Sequence, residues 1–336
     1  MKKVLVTGGA GFIGSHTVVE LVNAGYEPII IDNLCNSNIS MLDGIEAITG
    51  KSIPFFNVDC TNLEAMTAIF NEQGPFAGVI HFAAFKAVGE SVAKPLAYYH
   101  NNINSTRVVL ECMAQYDVQN LVFSSSCTVY GQPKENPVSE KTAWMSASSP
   151  YGYTKQVCER MIADTSIGSK LSSVLLRYFN PIGAHPSGLI GELPLGVPEN
   201  LIPYITQTAA GLRSHLTIFG SDYNTPDGTC IRDYIHVVDL AKAHVAALGW
   251  LENQSQICEV FNLGSGNGNS VKEVIDTFQE VNNMPVNVVA GARRPGDVEQ
   301  IFASADKAKE MLNWSCELTL ADALKDAWTW QLKLQE

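Results

Sequence analysis

The chain has 336 residues, 46% of them hydrophobic and 17% charged, enough apolar sequence for a large core and two lobes. Its net charge of −12 argues against a nucleic-acid surface, which needs clustered Lys and Arg, although a few arginines aimed into a pocket would still hold a small anion. No uninterrupted apolar segment reaches membrane-spanning length and no apolar signal region follows Met1-Lys2-Lys3, so no membrane contact is expected and the cytoplasm is the default location. The eight cysteines form no Cys-x-x-Cys, and no His/Cys cluster has zinc spacing. They read as small buried residues in a reducing compartment, with no metal expected.

Lys3-Val-Leu-Val-Thr7 reads as a buried strand. Gly8-Gly9-Ala10-Gly11-Phe12-Ile13-Gly14 follows it directly and opens into a helical pattern from Ser15 to Ala24. Gly9, Gly11 and Gly14 fit the dinucleotide fingerprint, and Gly8, Gly11 and Gly14 fit its variant with one more residue between the first two glycines. Either way, glycines let backbone N–H groups approach a pyrophosphate at the positive end of a helix. A second apolar strand, Pro28 to Ile31, ends in Asp32. An acid there accepts hydrogen bonds from an adenosine ribose and repels a 2′-phosphate, which selects NAD over NADP. Asn33 to Ser37 contains no basic residue to reverse that choice.

Strand-like runs recur at Ile53–Val58, Gly78–Phe82, Leu121–Ser125 and Ser173–Phe179, separated by helix-length stretches. This rhythm predicts a doubly wound parallel α/β sheet of the Rossmann type. Ser124, Ser125 and Ser126 close one strand at the end where open α/β sheets bind ligands, and alternation forbids all three from facing the site. Tyr130 and Lys134 are four residues apart, but Gly131 and Pro133 make that stretch a turn. Tyr151 and Lys155 have the same spacing just after Pro150, which suits a first helical position, so their side chains share one helix face. A free tyrosine has a pKa of about 10, and work as a base near neutral pH requires a depression of roughly three units, about 4 kcal/mol. A neighbouring ammonium is the expected source.

After Asn180 the rhythm breaks into Pro- and Gly-rich sequence, which starts a smaller, loop-rich substrate lobe. The expected division is 1–180 for the dinucleotide-binding domain, with re-entry of the chain near 230–265, and 181–336 for the second lobe. Helical and strand patterns return at Asp239–Leu251 and Glu259–Leu263. Gly264-Ser-Gly-Asn-Gly268 looks like a second phosphate loop, but Ser270-Val-Lys-Glu273 is a capping box, so a plain turn into a capped helix is expected.

Several stretches taken together resemble the extended short-chain dehydrogenase/reductases. They are Thr7 to Gly14, His81-Phe-Ala-Ala, Phe123-Ser-Ser-Ser-Cys-Thr-Val-Tyr-Gly, Tyr151-x-x-x-Lys155, Leu176-Arg-Tyr-Phe-Asn-Pro181 and Arg232-Asp-Tyr-Ile-His-Val-Val-Asp239. Asp32 to Ser37, Lys86-Ala-Val-Gly-Glu-Ser and Gly183-Ala-His-Pro-Ser-Gly narrow the resemblance to the UDP-glucose 4-epimerases, nearly end to end. The resemblance implies that tightly bound NAD takes hydride from sugar C4 and returns it to the opposite face of the 4-keto sugar, interconverting UDP-glucose and UDP-galactose. It also implies a homodimer. Tyr151 would be the base, Lys155 would lower its pKa and hold the nicotinamide ribose, and Ser126 would hydrogen-bond the reacting oxygen, with Thr128 as a helper.

By the same resemblance Gly8, Gly11, Phe12, Ile13, Gly14, Asp32, Asn33, Asn36, Ser37, Asp59, Cys60, Phe82, Ala83, Lys86, Asn101, Ser124 and Phe179 would line the NAD site. Asn180, Asn200, Leu201, Phe219, Arg232, Arg294, Asp297 and Ile301 would surround the UDP-sugar, with Arg232 and Arg294 as diphosphate clamps and Arg293 as a rival to Arg294. The competing role for the two clamps is a surface salt bridge with Asp233 or Asp297. Ile301 departs from the family pattern, which often has tyrosine there, and would leave room for N-acetylated UDP-hexoses. Two other functions fit parts of the sequence. A nucleotide-sugar 4,6-dehydratase shares the Tyr/Lys pair but carries Asp-Glu after the active-site Thr, where this chain has Val129 and Tyr130. A non-catalytic NAD sensor would need no Ser126, Tyr151 and Lys155 together.

Overall fold

Alternate residues of the apolar strands pack on opposite faces, so runs that must be buried on both sides read as continuous Val, Ile and Leu. The computed structural model describes residues 1–294 and 298–336. Its chain begins β1 (Lys3–Thr7), α1 (Phe12–Asn23), β2 (Glu27–Asp32), α2 (Ser40–Thr49), β3 (Phe55–Asn57), α3 (Leu63–Gln73) and β4 (Gly78–His81). Helix α1 starts about a turn before Ser15, because Gly11 takes the extended N-cap conformation with φ −77° and ψ 175°. Two short helices, α4 (Val88–Ala93) and α5 (Pro95–Tyr98), lead through a π-helical turn at Tyr99–Ile103 into α6 (Asn104–Gln115). Then come β5 (Asn120–Ser124), α7 (Pro150–Gly168) and β6 (Ser172–Tyr178).

The second half supplies β7 (Asn180–Ile182), α8 (Leu201–Ala209), β8 (Leu216–Phe219), β9 (Ile231–His236), α9 (Val237–Leu251) and β10 (Cys258–Leu263). It ends with β11 (Gly268–Ser270), α10 (Val271–Asn282), β12 (Val288–Gly291), β13 (Gln300–Ile301), α11 (Asp306–Leu312) and α12 (Leu320–Lys333). Among the described residues, seven parallel strands form the main sheet in the order β10-β6-β5-β4-β1-β2-β3. Strand order reverses beside β1, which opens a crevice at the carboxyl ends of β1 and β4, the ligand position of doubly wound sheets.

Val4, Val6, Ile30, Ile80 and Val122 face a core shared with α1 and α9, while Leu5, Ile31, Val79, Leu121 and Phe123 face one shared with α3, α6 and α7. A third cluster of Ile202, Ile205, Leu216, Phe278 and Leu324 holds α8, α10 and α12 together beside the sheet's carboxyl edge. The loop at Gly264–Gly268 runs into α10, whose start is a complete capping box between Ser270 and Glu273, as the sequence predicts.

Candidate active site

The glycine-rich turn is shaped by contacts that exclude side chains. Gly8 has φ +70°, and a Cβ on it would lie 2.8 Å from the Ala83 backbone nitrogen. At Gly14 a Cβ would lie 2.2 Å from the Gly8 carbonyl oxygen. This bare backbone cradle at the start of α1, with Gly11, Phe12 and Ile13 forming its rim, fits a dinucleotide pyrophosphate. Asp32 is 8% exposed and tied to the same turn. Its carboxylate accepts from the Ala10 N–H at 3.1 Å, the Leu34 N–H at 2.9 Å and Ser37 Oγ at 2.8 Å, fixing the loop that carries Asn33 and Asn36. Asn33 Nδ2 in turn donates to Asp59 at 3.0 Å. Burial opposes the Asp59 charge, but hydrogen bonds from Thr61 and Asn33 override it and hold the carboxyl below its usual value. Cys60, next in sequence, is buried with its thiol pushed well up. Phe82 and Ala83 follow β4 at the crevice, and Asn101 lies in the π-helical turn above it.

The serines at the end of β5 divide by direction. Ser126 accepts from the Thr128 N–H at 3.2 Å and lies beside the Tyr151 phenol, whose ionised form it favours. Ser124 Oγ donates to the Tyr178 phenol at 3.2 Å, and Ser125 Oγ donates to Glu159 at 2.5 Å beneath the site. Pro150 occupies the first turn of α7, and the Ser149 hydroxyl caps it by accepting from Gly152 N at 3.1 Å, so Tyr151 and Lys155 do sit on one buried helix face.

The electrostatics differ from the sequence expectation. Burial pushes the Tyr151 phenol well above its ordinary value, Tyr178 nearby raises it further, and the Ser126 bond lowers it only in part. The Lys155 ammonium donates to the Ser124 carbonyl at 2.7 Å and lies 4.8 Å over the Phe123 ring. Burial also lowers the Lys155 pKa to about 8, against raising contributions from Cys158 and Glu159. The Thr128 hydroxyl is buried with no hydrogen-bond partner among the described residues.

Beneath these groups lies a buried network that motif reading did not find. Glu159 pairs with Arg177 through Nη2 at 2.6 Å and Nε at 2.9 Å, their side chains only 1% and 5% exposed. Arg177 Nη1 also donates to the Tyr130 phenol at 3.0 Å, which donates to Asn262 at 2.6 Å. Polar residues inside apolar strand patterns were the available signal. Asn102 was missed too. Its amide receives the Phe85 N–H at 2.8 Å and donates to Thr154 at 3.0 Å, fixing the loop that carries Lys86 to α7.

The remaining positions lie along the carboxyl edge of the sheet. Phe179 and Asn180 follow β6, and Asn200 and Leu201 begin α8. Lys86 and Asn200 converge on Glu192, which the sequence did not mark. Phe219, 41% exposed at the end of β8, carries the Arg294 guanidinium 4.6 Å over its ring. Arg293 is held elsewhere, paired with Asp222 at 2.7 Å and stacked on Tyr223. That leaves Arg294 as the better placed of the two for a ligand.

Arg232 lies on β9, paired with Ile301 on β13. Its possible salt-bridge partner Asp233 points the other way, buried and receiving Ser265, Gly266 and Ala303 N–H groups. Ile301 is 6% exposed, packed with Val129, Phe179 and Ala303, so it acts as part of the floor beneath Phe179. Asp297 lies outside the described residues.

Comparison with known proteins gives one consistent picture. The family model described as GDP-mannose 4,6 dehydratase matches residues 5–327. UDP-glucose 4-epimerase 2 of Arabidopsis thaliana is 51% identical over 98% of this chain and 95% of its own length. A solved UDP-glucose 4-epimerase of Stenotrophomonas maltophila, with bound NAD and a formylated UDP-arabinopyranose, superposes with a TM-score of 0.96 at 45% identity, covering 100% of this chain and 99% of its own. That of Bifidobacterium longum, in complex with NAD+ and UDP, gives 0.95 at 46% identity over 99% and 98% of the two chains.

Proposed function

The chain belongs to the UDP-glucose 4-epimerase family of extended short-chain dehydrogenases/reductases, and from that premise we propose that it interconverts UDP-glucose and UDP-galactose with NAD as resident cofactor. The observation that carries the reading is the convergence of Ser126, Tyr151 and Lys155 at the carboxyl end of β5, beside a glycine cradle that a single Cβ would fill.

Gly8, Gly11 and Gly14 would hold the pyrophosphate, Asp32 and the Asn33–Ser37 loop the adenosine ribose, and Lys155 the nicotinamide ribose. When bound, NAD supplies reversible hydride acceptance at sugar C4. Tyr151 takes the proton of the 4-hydroxyl and later returns it, and Ser126, beside the phenol, holds the same oxygen in place. The released 4-keto sugar turns within the pocket while Arg294, Phe219, Asn200 and Arg232 keep the nucleotide end anchored. The stretch after Ser126 carries no carboxylate, so the acid that expulsion of a 6-hydroxyl needs is missing and a 4,6-dehydration is disfavoured.

In this reading residues 1–180, with re-entry of the chain near 230–265, form the dinucleotide-binding domain and 181–336 the UDP-sugar lobe, Arg232 lying on the substrate side. The eight free cysteines fit a reducing cytoplasm, and a homodimer is the family expectation, to be checked by light scattering. Ile301 in place of a tyrosine supports turnover of N-acetylated UDP-hexoses as well, and failure to convert UDP-N-acetylglucosamine would remove that extension. The main test is proton NMR of the purified protein with UDP-galactose and no added NAD, with Tyr151→Phe alongside. Appearance of UDP-glucose, lost in the variant, is the expected result. No conversion after NAD is supplied would overturn the assignment.

A further inference from the structure

One carboxylate ties the cofactor side of the crevice to the nucleotide side. Glu192 Oε1 accepts from Lys86 Nζ at 3.0 Å and from Asn200 Nδ2 at 2.6 Å. Lys86 arrives on the loop after β4 and Asn200 from the start of α8, so no element other than Glu192 needs to align them. The Glu192 backbone is itself fixed, because its carbonyl accepts from Trp330 Nε1 at 3.0 Å and any Cβ on Gly191 would meet the Trp330 ring at 2.5 Å.

Asn200 gives a second sign of this alignment. It holds the N-cap position of α8 with φ −85° and ψ 148°, the residue type and backbone that ordinarily accept a helix N–H. It makes no such cap bond, and its amide nitrogen is turned to Glu192 instead. The Lys86 side chain is half exposed, so the ion pair adds little to stability, and its geometry has a different use. A carboxylate beside the path of an anionic diphosphate is also unfavourable unless a cation neutralises it, which Lys86 does.

We propose that Glu192 is a positioning residue that sets Lys86 and Asn200 at a fixed spacing, so that a single carboxylate registers the UDP end of the substrate against the cofactor end. This rests on the epimerase reading. Two consequences follow from the geometry. Removing the acceptor releases Asn200 and weakens UDP binding. Removing Lys86 alone leaves a bare negative charge at the site, and neutralising Glu192 in the same molecule relieves it.

The test is calorimetric titration of UDP into the NAD-loaded protein, with NAD content checked by absorbance of the released nucleotide, together with steady-state kinetics on UDP-galactose. Glu192→Ala is expected to weaken UDP about tenfold and raise KM similarly, with kcat within about threefold, as a lost hydrogen bond would. Glu192→Gln keeps the acceptor for Asn200 and should lose less than about threefold. Lys86→Met should weaken UDP about tenfold, and the Lys86→Met/Glu192→Gln double variant should recover most of that loss. UDP affinity unchanged in Glu192→Ala, a fall in kcat at constant KM, or strictly additive effects of Lys86→Met and Glu192→Gln would each overturn the inference while leaving the epimerase standing. If Glu192→Ala does not fold, the Lys86/Glu192→Gln cycle still decides. Failure of the wild-type protein to bind UDP would sink the epimerase reading and this inference together.

Discussion

Lys155 should make the protein less stable than its catalytic role requires, and replacing it with methionine exposes that trade-off. Burial lowers its pKa from 10.5 to about 8, a depression of roughly 2.5 units or about 3 kcal/mol. The folded state therefore binds the proton less tightly than the unfolded chain, and the penalty is present in full below pH 8. Between pH 8 and 10.5 the unfolded chain holds more protons, so stability climbs as pH rises and the penalty disappears. Lys155→Met removes it at every pH but orphans the Ser124 carbonyl, a loss of about 1 kcal/mol. The NAD-free variant at pH 7 should therefore be more stable than wild type by about 2 kcal/mol in urea unfolding, while epimerase activity is lost. The difference should shrink between pH 8 and 10 and change sign near pH 10. A variant no more stable at pH 7, or a difference flat across that window, would refute the reasoning.

Gly14→Ala places a Cβ 2.2 Å from a backbone oxygen that cannot move aside, so the purified protein should carry no NAD, read as a lowered absorbance ratio at 260 to 280 nm. Glu159→Gln keeps the shape of the Ser125–Arg177 network but leaves the guanidinium uncompensated in a site about 95% buried. It should lower the unfolding free energy by about 3 kcal/mol, measured in urea, and a loss under about 1 kcal/mol would show that the charge is not needed. The Tyr151 phenol, held neutral by burial, should ionise well above pH 10 in NAD-free protein and at lower pH once the cofactor is bound, seen in tyrosinate absorbance as wild type minus Tyr151→Phe. Identical midpoints in the two forms would mean that the bound cofactor supplies none of the required charge.

Most of the cofactor half was legible because its requirements are local. A strand, a glycine turn and a helix must follow one another within a few residues, and Asp32 must close the next strand, so spacing alone carries the prediction. Tyr151 and Lys155 were legible for the same reason, since Ser149 and Pro150 start the helix that sets their face. Glu159, Arg177, Asn102 and Glu192 were not, because each acts on residues far away in sequence: Glu192 on Lys86 at a separation of 106 residues, and Asn102 on Thr154 at 52. Nothing local distinguishes such a carboxylate from a solvated one. The bond from Lys155 to the Ser124 carbonyl was not legible, because sequence gives the lysine's place along the helix but not what its ammonium touches.

That competing bond bears on how the site works. Burial favours a neutral phenol and weakens the neighbouring ammonium without neutralising it near pH 7. Glu159, one helical turn after Lys155, supports the ammonium, but its field is largely spent on Arg177, which binds it through two nitrogens. The ammonium is thus kept charged near neutral pH by a narrow margin and held on Ser124 rather than on Tyr151. Positive charge entering the crevice beside the phenol, where the glycine turn and the Lys155 face meet, would favour proton abstraction. The same burial that opposes ionisation of Tyr151 makes it sensitive to that charge, since an added cation acts there through a medium of low polarisability. A bound oxidised nicotinamide, placing positive charge beside the phenol, would therefore make Tyr151 a better base than burial alone allows.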